Sequence, residues 1–128
     1  MGEWDKEPDY ERWTDTATGY DCVIKRMGAG HLCGYVGVGE DHQLAGSTDT
    51  LEMYSLDVHG GVTYSSRMEA ADPGLWYIGF DCAHLGDKQP GYAWSGGTYR
   101  NFGYVKKEIL SLANLLAKID GLTISKED

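Results

Sequence analysis

Phe102, Val105, Ile109, Leu112, Leu116 and Ile119 recur at intervals of three and four residues, which sets all six on one face of an α-helix. A helix with a single apolar stripe must bury that stripe against another element. The chain before it carries strand and turn signals, so the element it meets is a sheet. Strands first and one long helix last predict an α+β fold: a small, mainly antiparallel sheet of three to five strands crossed by a C-terminal helix over residues 99–120. Thr98 or Asn101 can cap the start of that helix, and Gly121 can stop it.

The strand signals are ordered along the chain. Tyr20 to Met27 suits a strand, Gly28-Ala29-Gly30 a turn, and Leu32 to Val38 a second strand at hairpin distance. Gly34 and Gly37 inside that run predict either a bulge or something packing hard on the backbone. Gly39 to Thr50 reads as a loop. Leu51 to Val58 reads as a third strand with Met53, Ser55 and Asp57 on one face. His59-Gly60-Gly61 interrupts it, and Val62 to Ser65 continues it or pairs back. Asp72-Pro73-Gly74 is a turn signal before Leu75 to Phe80, the most apolar strand, and Asp81 to Thr98 is a long loop. Residues 1–15 form an acidic N-terminal segment that is either a loose tail or pinned through Trp4 and Trp13, with pinning favoured at Trp13. At 128 residues, the expectation is one domain over 1–128.

Charge limits the partners. Eleven Lys and Arg against 20 Asp and Glu leave a net charge of −9, so no basic stripe is available for non-specific nucleic-acid binding. Three cysteines (Cys22, Cys33 and Cys82) without a C-x-x-C spacing argue against a disulfide framework or a four-thiolate zinc site. Reduced thiols, no leader-like start and no apolar run of membrane-spanning length predict a cytoplasmic protein with no membrane partner.

Two segments concentrate reactive side chains. Asp57-Val58-His59-Gly60-Gly61 puts a carboxylate and an imidazole on one face of a strand, followed by two glycines. Asp81-Cys82-Ala83-His84-Leu85-Gly86-Asp87 lies where an apolar strand feeds the long loop, the kind of place where a scaffold presents reactive groups. His59, Asp81, His84 and Asp87 are therefore the catalytic candidates, predicted to share one pocket, with acid–base work near neutral pH as their chemistry. With Asp57 they are also candidate ligands for a divalent metal. His59, Gly60, Gly61, Arg67, Trp94 and Arg100 are the candidate ligand-binding residues: the aromatic to stack on a base, the arginines to meet a phosphate, the glycines to let backbone N–H groups approach. Ala93-Trp94-Ser95-Gly96-Gly97 lacks the first glycine of a nucleophile elbow in a chain too short for that fold, so a serine hydrolase is rejected.

The chain also resembles a family of small phage, prophage and bacterial proteins to which no activity is assigned. The resemblance covers most of residues 20–118. It rests on Cys33-Gly34-Tyr35-Val36-Gly37-Val38, on Val58-His59-Gly60-Gly61 with Thr63-Tyr64, on Gly79-Phe80-Asp81-Cys82-Ala83-His84 with Gly86-Asp87, and on Tyr99-Arg100 leading to Tyr104-Val105. Gly39 and Gln43 stand where that pattern has prolines. The resemblance implies a phage-type accessory protein acting in the host cytoplasm, and by analogy alone a counter-defence role. Three functions are then expected to compete: sequestration of a nucleotide-derived immune signal near His59 and the 81–100 loop; metal-assisted hydrolysis of a phosphodiester or amide; or acidic, DNA-mimicking inhibition of a host defence protein. Association with a second copy of the chain is compatible with each.

Overall fold

A computed structural model describes residues 2–48 and 56–120. A short 3-10 turn (Glu3–Lys6) precedes β1 (Tyr10–Thr14), β2 (Asp21–Arg26), β3 (Leu32–Val38), β4 (Tyr64–Met68), β5 (Asp72–Asp81) and α1 (Phe102–Ile119). The five strands form one sheet in the order β1-β2-β3-β5-β4, and every neighbouring pair is antiparallel. The fold is α+β, with α1 lying on one face of the sheet.

Alternation in β3 sends Leu32, Val36 and Val38 to the helix side, where they meet Ile24, Ile78, Phe80 and the stripe of Val105, Ile109, Leu112 and Leu116, all essentially excluded from water. Gly34 lies in the same row at the point of closest approach: a Cβ there would sit 2.7 Å from Ile109 Cγ1 and 2.8 Å from Phe80 Cζ. The opposite face carries a second cluster of Val23, Cys33, Tyr35, Met68 and Tyr77. Here cross-strand partners fill each other's gaps, Tyr77 lying over Gly37 and Tyr35 over Gly79. Of the two readings of the β3 glycines, hard packing is the one observed.

Asn101 caps α1 by accepting the Tyr104 N–H at 2.8 Å, and Glu7 accepts the Phe102 N–H at 3.0 Å, so the helix begins at Phe102 rather than at residue 99. At the other end, the 39–46 loop closes the last turn. His42 Nε2 donates to the Leu116 carbonyl at 2.8 Å and Gln43 Nε2 to the Ile119 carbonyl at 2.7 Å. The expected stop at Gly121 lies outside the described residues.

The pinning expected at Trp13 is observed, while the β4–β5 turn and Leu56 to Val58 differ from expectation. The acidic start contributes a strand, β1, whose Trp13 pairs with Cys22 across the ladder. The β4–β5 turn falls at residues 69–71, and Asp72-Pro73-Gly74 opens β5 instead, with a register shift between Arg67 and Met68 that leaves Pro73, Gly74 and Leu75 out of the ladder. Residues 51–55 of the expected third strand are outside the described residues, and Leu56 to Val58 are irregular. Cys22, Cys33 and Cys82 are free and buried, with Cys22 opposite Val36 and Cys33 opposite Lys25.

Candidate functional site

β5 reaches the end of the sheet at Asp81 and releases the chain into a tight turn. Asp81 Oδ1 accepts the Ala83 N–H at 3.0 Å, and Asp87 Oδ2 accepts the His84 N–H at 3.1 Å. Gly86, at φ +93°, lets the chain double back, and the Asp87–Thr98 bridge with Thr98 N–H donating to the Gly86 carbonyl at 2.8 Å zips the two ends of the long loop together. Asp87 is left 5% exposed, facing the first turns of the helix.

Three groups meet that buried carboxylate. Arg100 Nε donates to Oδ1 at 2.8 Å; His59 Nε2 and the His84 N–H donate to Oδ2 at 2.7 and 3.1 Å. Burial alone would raise the Asp87 pKa, but the bonds from Arg100, His59 and His84 outweigh it and hold the carboxyl below its ordinary value. Since Nε2 donates to a carboxylate, the other ring nitrogen of His59 can receive a proton. Tyr104 Oη lies 2.7 Å from Nδ1, and burial, then the nearby Glu108 carboxylate, push the phenol pKa upward so that it keeps its proton. The result is a continuous Tyr104–His59–Asp87–Arg100 chain. Glu108 fixes its far side by accepting the His59 N–H at 2.8 Å.

His84 stands beside this chain. Its ring meets that of His59 edge-on with centroids 6.0 Å apart, and its Nε2 lies 3.2 Å from Asp81 Oδ1. The ring leans on the backbone of Gly60, where any Cβ would collide with it. His84 and Ala83 form the wall between two cavities. One, of about 460 Å³, is lined by His31, Tyr35, Tyr64, Phe80 and Asp81; the other, of about 480 Å³, by Gly86, Asp87, Gln89, Trp94 and Gly97. At the second, Trp94 is 78% exposed and stacks parallel on Tyr92, with centroids 5.1 Å apart and planes 10° apart.

The structure thus brings His59, Asp81, His84 and Asp87 together, with Gly60, Gly61 and Arg100 around them and Trp94 at the rim of the second cavity, but the expected single pocket is corrected: Asp81 lines the first cavity, Asp87 the second, His84 both and His59 neither, because the His84 ring stands between them. His59 does not arrive from a strand end as expected. It is delivered by the Val58–Gly61 turn, closed by Gly61 N–H donating to the Val58 carbonyl at 2.9 Å, with Gly60 and Gly61 at φ +69° and +84°. Asp57 is exposed and not its strand-face neighbour. Arg67 is elsewhere: it bonds Glu40 at 3.2 Å and the Pro73 carbonyl at 3.0 Å, and lines a separate cavity with Trp76. The metal-ligand set does not assemble either. Both oxygens of Asp87 and both ring nitrogens of His59 are committed, and among the described residues no three His, Cys, Asp or Glu side chains are placed to hold a metal.

Sequence reasoning about the site missed Tyr104, Glu108 and His31. The first two had a readable signal. Tyr104 and Glu108 are four apart on α1, a polar pair beside the apolar stripe, and Arg100 lies four residues before Tyr104, just ahead of the helix. His31 had none, because nothing local ties the β2–β3 turn to the end of β5. Among the described residues, no helix is long and apolar enough to cross a membrane. Compared with protein-family models, curated proteins and solved structures, the chain matches none of them.

Proposed function

We propose that this chain is a phage-type accessory protein with a counter-defence role, and that it captures a nucleotide-derived small molecule at the cavity between His84 and Trp94. The observation that carries the reading is the Tyr92–Trp94 stack at the rim of the cavity lined by His84, Gly96 and Gly97. A large indole held flat in water by a second ring is an existing platform for a nucleobase, and such stacking contributes roughly 1–3 kcal/mol per base. Gly96 has open space around it, which leaves backbone accessible to a polar ligand edge. Calorimetric titration with nucleoside monophosphates and cyclic dinucleotides tests this. Binding that weakens at least tenfold in Trp94→Ala, with the melting temperature of the free protein unchanged, supports it. No binding at millimolar ligand, or full retention in Trp94→Ala, overturns it.

A second reading rests on a different observation, the Tyr104–His59–Asp87 chain. An imidazole oriented by a buried carboxylate and bonded to a hydroxyl is equipped to pass a proton, so a small hydrolase can use His59 as its acid–base group. Hydrolysis of an activated phosphodiester by the wild type, abolished in His59→Ala, would favour it over capture alone.

A further inference from the structure

The other cavity calls for a ligand of different chemistry. It lies between the start of β3 and the end of β5, opposite the Trp94 platform across His84. Met27, Phe80, Tyr35 and Tyr64 supply apolar and aromatic walls, the two tyrosine rings meeting edge-on at 5.0 Å. The only fixed charge among its lining residues is the Asp81 carboxylate; no lysine or arginine is among them.

Three polar groups there are under-used. Asp81 Oδ1 accepts one hydrogen bond, from Ala83 N–H, and Oδ2 accepts one, from Thr63 Oγ1 at 3.0 Å. A carboxylate has about four acceptor sites, so each oxygen keeps one. One free site on each of two adjacent oxygens is the arrangement a forked donor needs. His31 Nδ1 and His84 Nε2 are both buried without a hydrogen-bond partner, the latter in spite of lying 3.2 Å from Asp81. Burial lowers the His31 pKa, which favours a neutral ring able to accept as well as donate.

We propose that this cavity binds a guanidinium group, with Asp81 accepting its two parallel N–H bonds, His31 accepting a third, and the wall formed by Tyr35 and Tyr64 packing against it. Guanidinium is planar, permanently charged and weakly hydrated, which suits an aromatic slot ending in one carboxylate. The net charge of −9 attracts cations to the surface. This site does not depend on nucleotide capture at Trp94.

The test is an amide NMR titration of the intact protein with N-acetyl-arginine N-methylamide, the citrulline analogue (same shape, no charge) and methylguanidinium. Saturable shifts at His31, Asp81, Ala83 and His84 with the arginine probe, at least tenfold weaker with citrulline and lost in Asp81→Asn, are the expected result. The asparagine retains an oxygen for the Ala83 N–H, so the turn survives. Tyr64→Leu, on the edge strand, should weaken binding severalfold with the charge intact. Methylguanidinium binding as tightly as the arginine probe identifies a small free guanidinium compound as the ligand; a tenfold preference for the arginine probe identifies an arginyl side chain of a protein partner. Equal shifts with citrulline, binding undiminished in Asp81→Asn, or no shifts at these four amides at 50-fold excess over about 1 mM protein would overturn the proposal.

Discussion

Two residues decide whether the site holds its shape. Asp87 is buried, held below its ordinary pKa, and bonded to groups from three parts of the chain. A carboxyl whose pKa is depressed by folding adds stability that is present above its unfolded pKa, near 4, and lost as pH falls through the folded value. Wild-type stability should therefore drop on acidification below about pH 4, and Asp87→Asn should flatten that acid limb. The same variant should cost about 2–3 kcal/mol at pH 7, under the range for breaking a fully buried pair, because Arg100 is partly exposed and can turn to water. Urea melts across pH 2–7 measure both effects. Gly60 is the second such residue. Alanine there strikes the ring of His84 at its movable end, so the ring should swing away while the fold persists. Gly61→Ala has the same left-handed backbone but nothing within 4 Å, and should leave His84 in place at a cost of about 1–2 kcal/mol for the conformation alone. The imidazole NMR signals of His84 separate the two: moved in Gly60→Ala and unmoved in Gly61→Ala is the expected pattern.

At the scale of elements, the helix–sheet contact carries the fold. Leu112 is fully buried on the stripe, and Leu112→Ala should cost roughly 2–5 kcal/mol, the transfer loss plus the cavity it leaves. Gly34→Ala tests the same contact from the sheet side. Its methyl would overlap Ile109 and Phe80, so α1 must lift or both side chains must leave their rotamers, at roughly 1–3 kcal/mol. Gly28→Ala, with nothing within 4 Å, is the control and should stay within about 0.5 kcal/mol. If Gly34→Ala behaved like Gly28→Ala, the helix could not lie as closely on β3 as described. Thermal and urea denaturation of the three variants settles the comparison.

Across the whole molecule, the N-terminal segment ties the β2–β3 turn to the helix start. Arg26 is the junction: its guanidinium donates to Asp9 at 2.8 Å, to the Gly30 carbonyl at 2.9 Å and to Tyr99 Oη at 2.9 Å, while Tyr99 Oη donates to Glu7 at 2.6 Å. Trp4 packs edge-on against Tyr99, with centroids 5.1 Å apart. Arg26→Met should therefore destabilise by about 1–2 kcal/mol, since it leaves the partly buried Gly30 carbonyl and Tyr99 Oη without their donor, while the exposed Asp9 turns to water. Hydrogen exchange should speed up at the Phe102 and Tyr104 amides, far from residue 26 in sequence. Exchange that changes only within β2 would show the segments to be uncoupled. The thiols report on the same integrity. Burial pushes Cys33 up to about 11 and Cys22 up to about 12, and raises Cys82 as well. A neutral-pH alkylating agent should modify none of the three in the native protein and all three after denaturation.

What the sequence by itself determined is what depends on local period and local sterics. The three–four spacing from Phe102 to Ile119 sets the helix. The alternation around Gly34 and Gly37 sets β3, its bounds at Leu32 and Val38 included. The left-handed glycines at 60, 61 and 86 set the turns. These features were legible because each is encoded within a few residues. The proximity of the 59–60 and 81–87 segments was also legible, because polar groups gathered beside apolar strands imply a common use. β1 was not, since Tyr10 to Thr14 has no apolar alternation of its own and becomes a strand only by pairing with β2. Nor was the reach of Tyr104 and Glu108 to His59, 45 and 49 residues away, or the entry of His31 into the cavity beside Asp81. Those contacts exist because antiparallel pairing of β3 with β5 puts the β2–β3 turn next to the end of β5, and because α1 crosses that end of the sheet. Hydrogen bonds between remote segments depend on where the backbone has already been placed by burial of apolar surface, and only the tertiary structure decides that.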